Sequence, residues 1–121
     1  MKYQSPMVGN EISCVMHGVN AVILNDHKKL EESLLKALNK DRFTILEKAS
    51  HVFNPYGYTL VILLAESHVS IHTYPEHNSL FFYLYSCRGQ GDGTKTYESF
   101  KQMIKPVSVD FNQRPILVRR K

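Results

Sequence analysis

The sequence has few cysteines and no long hydrophobic run, and each absence excludes a class of protein. Its two cysteines, Cys14 and Cys87, are too few for the disulfide framework of a small secreted domain. The longest apolar run, residues 60–65, is far too short to span a bilayer. Residues 1–6 lack the apolar stretch of a signal peptide. We therefore expect free thiols, no membrane partner and a cytoplasmic location.

The charge balance does not require a nucleic-acid partner. The formal net charge is +4, from 15 Lys and Arg residues against 11 Asp and Glu residues. Much of the positive charge lies near the C-terminus, in Arg114, Arg119, Arg120 and Lys121. These residues do not alternate with aromatic side chains along one face, as nucleic-acid-binding surfaces do. A solvated basic tail on a single globular domain, residues 1–121, is the expectation.

Two segments have the periodicity of amphipathic helices. The first begins after Asn25 and Asp26, which offer N-cap side chains, and ends at residues 39–41. Its apolar stripe consists of Leu30, Leu34, Ala37 and Leu38. The second is predicted over residues 95–105 and is stopped by Pro106, because proline cannot continue a helix.

The remaining segments are rich in apolar and β-branched residues and predict strands. These are residues 12–24, 42–53, 58–65, 69–74, 80–87, 107–111 and 116–118. Residues 1–11 contain several chain breakers and are expected to form a loose arm. Runs of strands with two helices predict an α+β fold, in which both helices pack on one face of an antiparallel sheet as an αβ sandwich.

One polar interruption stands out in this pattern. Residues 65–76 read AESHVSIHTYPE and follow the apolar strand 58–65. The apolar run stops at Glu66, Ser67 and His68, and a second strand then leaves the interruption. Its alternation places Ser70, His72 and Tyr74 on one face. Rigid strands on both sides can hold a reactive segment still, so this is the candidate site.

Three common types of site fit these residues poorly. Residues 89–96, GQGDGTKT, lie between a strand and a helix but lack the glycine and lysine spacing of a phosphate-binding P-loop, so a mobile surface loop is expected. His68 and His72 are four apart, but a metal site needs three or four converging ligands, so no metal is expected. Ser67 lacks the glycine-flanked elbow of a serine hydrolase.

Self-processing is the fourth possibility. The Ser67 hydroxyl can attack the carbonyl carbon of the preceding peptide bond and form an ester. A base can then remove the Ser67 α-proton, and elimination splits the chain. The new N-terminus becomes a pyruvoyl group, whose carbonyl condenses with a substrate amine and acts as an electron sink. From the residue types alone, this reading stands beside the others.

Three segments together resemble one protein family. They are YGYT at residues 56–59, AESHVSIHTYPE at 65–76 and Ser-Cys at 86–87. The combination resembles the prokaryotic S-adenosylmethionine decarboxylase proenzymes, which depend on a covalent pyruvoyl group. The similarity is good over residues 53–87 and looser elsewhere.

The resemblance implies a self-cleaving proenzyme. Cleavage between Glu66 and Ser67 would yield a β chain, residues 1–66, and an α chain, residues 67–121, with the pyruvoyl group derived from Ser67. The family's product is decarboxylated S-adenosylmethionine, the aminopropyl donor for spermidine and other polyamines. The resemblance further implies a homodimer of cleaved protomers, with active sites near the subunit interface.

The resemblance also assigns roles to five further residues. His72 matches the histidine that assists self-processing, and Cys87 matches the proton donor in decarboxylation. Phe53 matches an aromatic residue that stacks on adenine, Thr59 a hydroxyl beside the pyruvoyl group, and Glu76 a carboxylate that accepts ribose hydroxyls. Taken singly, Phe53, Thr59 and Glu76 also have ordinary structural explanations.

Two features bear on how far the resemblance extends. Ser67 and His72 are five apart and would face opposite ways in an unbroken strand, so we expect a bend at residues 66–68 that brings them together. Tyr83 stands where the family usually has an acidic residue, four before Cys87. Decarboxylation of ornithine or arginine therefore remains an alternative, as does a non-catalytic regulatory homologue.

Overall fold

The computed structural model describes residues 4–119 and confirms the α+β class. Six strands form one antiparallel sheet in the order β2-β3-β4-β5-β1-β6. The strands are β1 Val8–His17, β2 Ile45–Val52, β3 Tyr58–Leu64, β4 Ser67–Tyr74, β5 Ser79–Ser86 and β6 Ser108–Leu117. The helices are α1 Ala21–Asn25, α2 His27–Lys40 and α3 Thr94–Ile104, with a short 3₁₀ helix at Pro75–His77.

The first strand differs from its prediction at both ends. It begins at Val8, inside the expected loose arm, and ends at His17 rather than at residue 24. Gly18 stops it with a φ of +67°, a conformation that suits glycine. Asn20 then caps the extra helix α1, because its side chain accepts a hydrogen bond from the Val22 N–H at 2.7 Å.

The two short strands expected at the C-terminus are a single strand, β6. It pairs with β1 along its whole length, from Leu117 opposite Val8 to Ser108 opposite His17. Pro115 is tolerated because β6 is an edge strand. Arg119, in the predicted basic tail, is exposed just after β6. Arg120 and Lys121 lie outside the described residues.

The helices cover one face of the sheet and leave the other open. Asp26 caps α2 as predicted, accepting the Lys29 N–H at 3.2 Å. The fully buried side chains come from α2, α3 and the alternate strand positions that face them; they include Leu30, Leu34, Leu38, Leu60, Ile62, Ile71, Phe82 and Phe100. The prediction of a buried β3 holds for one face only, since Val61 and Leu63 are exposed on the open face.

None of the helices within residues 4–119 combines the length and the apolar character needed to cross a membrane. The longest is α2, with 14 residues.

Phe82 gives a direct test of the core. Its ring is fully buried on β5 and lies 5.7 Å from the Phe100 ring and 6.0 Å from the Tyr97 ring of α3. Phe82→Ala should lower the free energy of unfolding by about 3–5 kcal/mol, because it removes buried apolar surface and leaves a cavity. Urea denaturation measures the change. Val22→Ala, at an exposed position of α1, is the control and should change it by less than about 0.5 kcal/mol.

Candidate functional site

Ser67 lies directly after a tight hairpin turn. Residues 65 and 66 connect β3 to β4, and Leu64 pairs with Ser67 across the turn. Glu66 is exposed and has a φ of +66°, a left-handed conformation that costs a non-glycine residue about 1–2 kcal/mol. Ser67 itself is buried, and its Oγ accepts a hydrogen bond from the backbone N–H of Cys87 at 3.0 Å. The predicted scissile bond thus joins a strained, exposed residue to a fixed, buried one.

Cys87 is half-buried, one residue beyond the end of β5. Burial raises the pKa of Tyr85, and the neighbouring Cys87 sulfur raises it further. Tyr85 therefore stays a neutral hydroxyl beside the Cys87 thiol. Gly9 leaves room for this arrangement, because a Cβ there would lie 2.8 Å from Tyr85 Oη and 2.7 Å from Ser86 O.

Phe53, Thr59 and His72 meet at the other end of β4. His72 is half-buried on the open face, and its Nδ1 is hydrogen-bonded to Thr59 Oγ1 of β3 at 2.5 Å. The Phe53 ring lies 6.0 Å from the His72 ring, and the Tyr74 ring lies 4.5 Å from it on the same strand.

The Phe53, His72 and Tyr74 side chains, but not Thr59, line a cavity of about 260 Å³. The lining residues are Phe53, Tyr56, Gly57, His72, Thr73, Tyr74 and Glu76. Glu76 belongs to the 3₁₀ helix and adds an exposed carboxylate to an otherwise aromatic wall. Aromatic faces with a few polar groups are typical of small-molecule sites.

The structure does not bring Ser67 and His72 together within one chain, so the expected bend is wrong. The strand β4 runs without interruption from Ser67 to Tyr74, with Ser67 on the buried face and His72 on the open face. Five residues of strand separate the two by about 16 Å. Hydrogen bonding to β3 on one side and β5 on the other holds β4 straight. The seven predicted site residues therefore form two groups: Glu66, Ser67 and Cys87 at one end of β4, and Phe53, Thr59, His72 and Glu76 at the other.

Two features near Ser67 and Cys87 were not recognised from the sequence as parts of the site. Period-two alternation along residues 80–87 predicts Tyr85 on the same face as Cys87, but the pattern gives the tyrosine no role. The order in the loop after Cys87 has no local signal. Predicted as a mobile surface loop, this segment is held by Arg88, whose Nε donates to Asp92 Oδ2 at 2.7 Å, and by contacts to distant residues. Within residues 4–119, no three His, Cys, Asp or Glu side chains converge as metal ligands.

Tyr83, the departure from the family pattern, belongs to an ion-pair cluster on the open face. Its hydroxyl donates to Glu11 Oε2 at 2.8 Å, and Arg114 Nε donates to Glu11 Oε1 at 2.8 Å. Arg114, first of the predicted tail residues, therefore lies in β6 and is paired with Glu11 of the neighbouring strand β1. The hydrogen bonds from Arg114 and Tyr83 lower the pKa of Glu11. Burial and the Glu11 carboxylate raise the pKa of Tyr83 to about 12.

This cluster predicts a pH-dependent contribution to stability. Because the pKa of Glu11 in the folded chain lies below the ordinary value of 4.5, the carboxylate stabilises the fold above that value and loses its contribution as the pH falls. Glu11→Gln should therefore be less stable than wild type near neutral pH, with the difference shrinking in acid. Urea denaturation across pH measures it. Glu32→Gln, at an exposed position of α2, is the control; a constant difference for Glu11→Gln would contradict the prediction.

Comparison with known proteins places the chain in a family. A family model described as S-adenosylmethionine decarboxylase matches residues 10–115. An S-adenosylmethionine decarboxylase proenzyme of Hydrogenobaculum sp. is 34% identical over 84% of this chain and 73% of its own length. S-adenosylmethionine decarboxylase proenzyme 2 of Bacillus cereus is 39% identical over 81% of this chain and 80% of its own. The crystal structure of the adenosylmethionine decarboxylase from Aquifex aeolicus superimposes with a TM-score of 0.82 at 27% identity, covering 89% of each chain. The chain belongs to the S-adenosylmethionine decarboxylase family.

Proposed function

We propose that this chain is a self-cleaving, pyruvoyl-dependent decarboxylase of S-adenosylmethionine that supplies the aminopropyl donor for polyamine synthesis. The observation that carries the proposal is the position of Ser67. Its hydroxyl follows a strained turn and is fixed by the backbone N–H of Cys87 at 3.0 Å. Family membership supports the same reaction class. The retention of Ser67, His72 and Cys87 together argues against a non-catalytic regulatory homologue.

Cleavage begins at the bond between Glu66 and Ser67. Ser67 Oγ attacks the Glu66 carbonyl carbon, the peptide C–N bond breaks, and the released nitrogen takes up the hydroxyl proton, which leaves an ester. The Cys87 N–H stabilises the negative charge that develops on Ser67 Oγ. The broken peptide bond also releases the strain at Glu66.

Elimination completes the cleavage. A base removes the α-proton of Ser67, and Glu66 leaves as a carboxylate that carries the former hydroxyl oxygen. Water then replaces the remaining enamine nitrogen, which departs as ammonia. We assign the base to His72, whose ring is oriented by Thr59 Oγ1. The same oxygen keeps the His72 ring in one orientation during turnover.

The surroundings of Ser67 suit a pyruvoyl group. Residue 67 begins a strand that is hydrogen-bonded on both sides, so a new N-terminus there stays in place after cleavage. The pyruvoyl carbonyl supplies the attachment point for the substrate amine and the electron sink for loss of carbon dioxide. Cys87 lies beside residue 67 and would donate the proton to the α-carbon of the substrate, with the neutral Tyr85 hydroxyl next to the thiol.

The aromatic cavity favours S-adenosylmethionine over ornithine or arginine. Adenine stacks on the Phe53 face, the sulfonium cation is attracted to aromatic rings, and Glu76 accepts the ribose hydroxyls. A basic amino acid calls instead for an unpaired carboxylate near Cys87. Glu11 of β1 lies on the open face at this end of the sheet, two strands away from His68 of β4. Its carboxylate is not free for a substrate, because it is already paired with Arg114 and Tyr83.

The separation of the two residue groups favours a homodimer of cleaved protomers. Ser67 and Cys87 lie about five strand residues from His72, too far for a proton transfer within one chain. The open face of β3 exposes Val61 and Leu63, which a second copy can cover. In this arrangement the partner brings its His72 and its aromatic cavity to the Ser67 end of the first chain.

Ser67→Ala tests the cleavage. The variant has no hydroxyl to attack Glu66, so intact-mass spectrometry should show one full-length chain, whereas wild type should give two fragments and a mass change for conversion of the serine to pyruvoyl. Cys87→Ala is the comparison: it keeps the backbone N–H and should cleave, but its turnover should fall by about 10²–10⁴-fold. Carbon dioxide release from S-adenosylmethionine, ornithine and arginine identifies the substrate. A cleaved Ser67→Ala chain would refute the proposed site.

Mixed chains test the shared site. Ser67→Ala and His72→Ala variants with different tags should each stay uncleaved when produced alone. Produced together, they form dimers in which Ser67 of one chain meets His72 of the other, so the His72→Ala chain should be cut and the Ser67→Ala chain should stay whole. Mass spectrometry distinguishes the chains. If neither chain is cut in the mixture, both residues must act within one protomer.

A further inference from the structure

We infer that Arg88 is a positioning residue for self-cleavage. Its guanidinium group holds the backbone around Cys87 so that the Cys87 N–H stays directed at Ser67 Oγ. The inference rests on the proposed cleavage at Ser67 and adds a residue that acts on it through another group. Arg88 does not touch Ser67; it acts through the peptide segment between Ser86 and Arg88.

Cys87 needs such support because it lies beyond the sheet. The last residue of β5 is Ser86, which pairs with Asn10 of β1, and Cys87 follows it. The Ser86 side chain holds the backbone that follows the strand through two hydrogen bonds. Its Oγ accepts the Arg88 N–H at 3.1 Å and donates to Asp92 Oδ2 at 2.5 Å, closing a loop of contacts around residue 87.

The Arg88 guanidinium connects this loop to the helix layer. Its Nε donates to Asp92 Oδ2 at 2.7 Å, its Nη2 to Asp41 Oδ1 at 3.2 Å and its Nη1 to the Arg42 carbonyl at 3.2 Å. The centre of the group lies 3.5 Å from the middle of the Phe43 ring. Planar stacking and several directed hydrogen bonds require arginine, since lysine offers only a point charge.

Asp41 gives the contacts a rigid base. Its Oδ2 accepts the backbone N–H of Thr96 at 3.0 Å and the Thr96 hydroxyl at 2.7 Å, in the first turn of α3. Gly93, the N-cap residue of that helix, has no side chain to do so. Asp41 also ends α2, so Arg88 is fixed against both long helices.

Loss of Arg88 should slow the attack of Ser67 on Glu66. A displacement of about 1 Å in a reacting pair can cost about 10²-fold in rate, so freeing residues 86–88 is expected to reduce the first-order cleavage rate of Arg88→Ala by about that factor. Hydroxylamine, which cuts esters, should not release fragments from the slow variant, because the ester has not formed. Guanidinium chloride at millimolar concentration should restore part of the rate, and sodium chloride should not.

Two controls separate positioning from stability. Met103→Ala removes a half-buried side chain that packs against the core, so it lowers stability without touching Arg88. Lys48→Ala removes another partly exposed ion pair, to Glu31 at 2.6 Å. Both should cleave at the wild-type rate. If Arg88→Ala does not fold, Arg88→Lys is measured instead. Its cleavage rate should also fall, because lysine cannot make the several directed hydrogen bonds of the guanidinium group.

The outcomes decide separately on this inference and on the proposed function. The proposed function stands if the wild-type chain is cut and Ser67→Ala is not. In that case the inference about Arg88 still fails if a folded Arg88 variant is cut at the wild-type rate, or is slowed only as much as Met103→Ala. Ester accumulation in Arg88→Ala, shown by hydroxylamine cleavage, would also overturn it. If the wild-type chain stays whole, both fail together.

Discussion

The hydrogen bond from the Cys87 N–H to Ser67 Oγ joins the ends of two neighbouring strands, and the arrangement of the candidate site follows from it. It fixes a buried hydroxyl next to a strained turn at Glu66. It also keeps the Cys87 thiol at the same end of the sheet, beside Tyr85. A small backbone contact thus places the groups proposed for cleavage and for protonation within one short stretch of β4 and β5.

The straight strand β4 separates the remaining site residues from Ser67 instead of bringing them together. Because β3 and β5 hold the strand on both sides, strict alternation sends Ser67 to the buried face and His72 to the open face. The aromatic cavity with Glu76 therefore lies away from Ser67. The proposed dimer reconciles these two facts, since a second copy can supply what one straight strand separates.

Local patterns predicted the parts of the fold that depend on local physics. The Asp26 cap and the apolar stripe gave α2, and period-two alternation gave the faces of β4 and β5. Helix α1 was missed because it lies inside an apolar run, where Gly18 and Asn20 are the only signals of a break. The contact of Arg88 with Asp41 joins residues 47 apart, and no local pattern encodes it.

The bridge from Asp41 to Thr96 has a consequence for the timing of the proposed self-cleavage. The carboxylate meets its partner only when the C-terminal third of the polypeptide has been synthesised and α3 has docked. A nascent chain that has emerged only as far as Ser67 lacks both Cys87 and this bridge. Under the proposed cleavage, the cut would therefore wait until Cys87 and α3 are in place, and unfinished chains would be protected from premature scission.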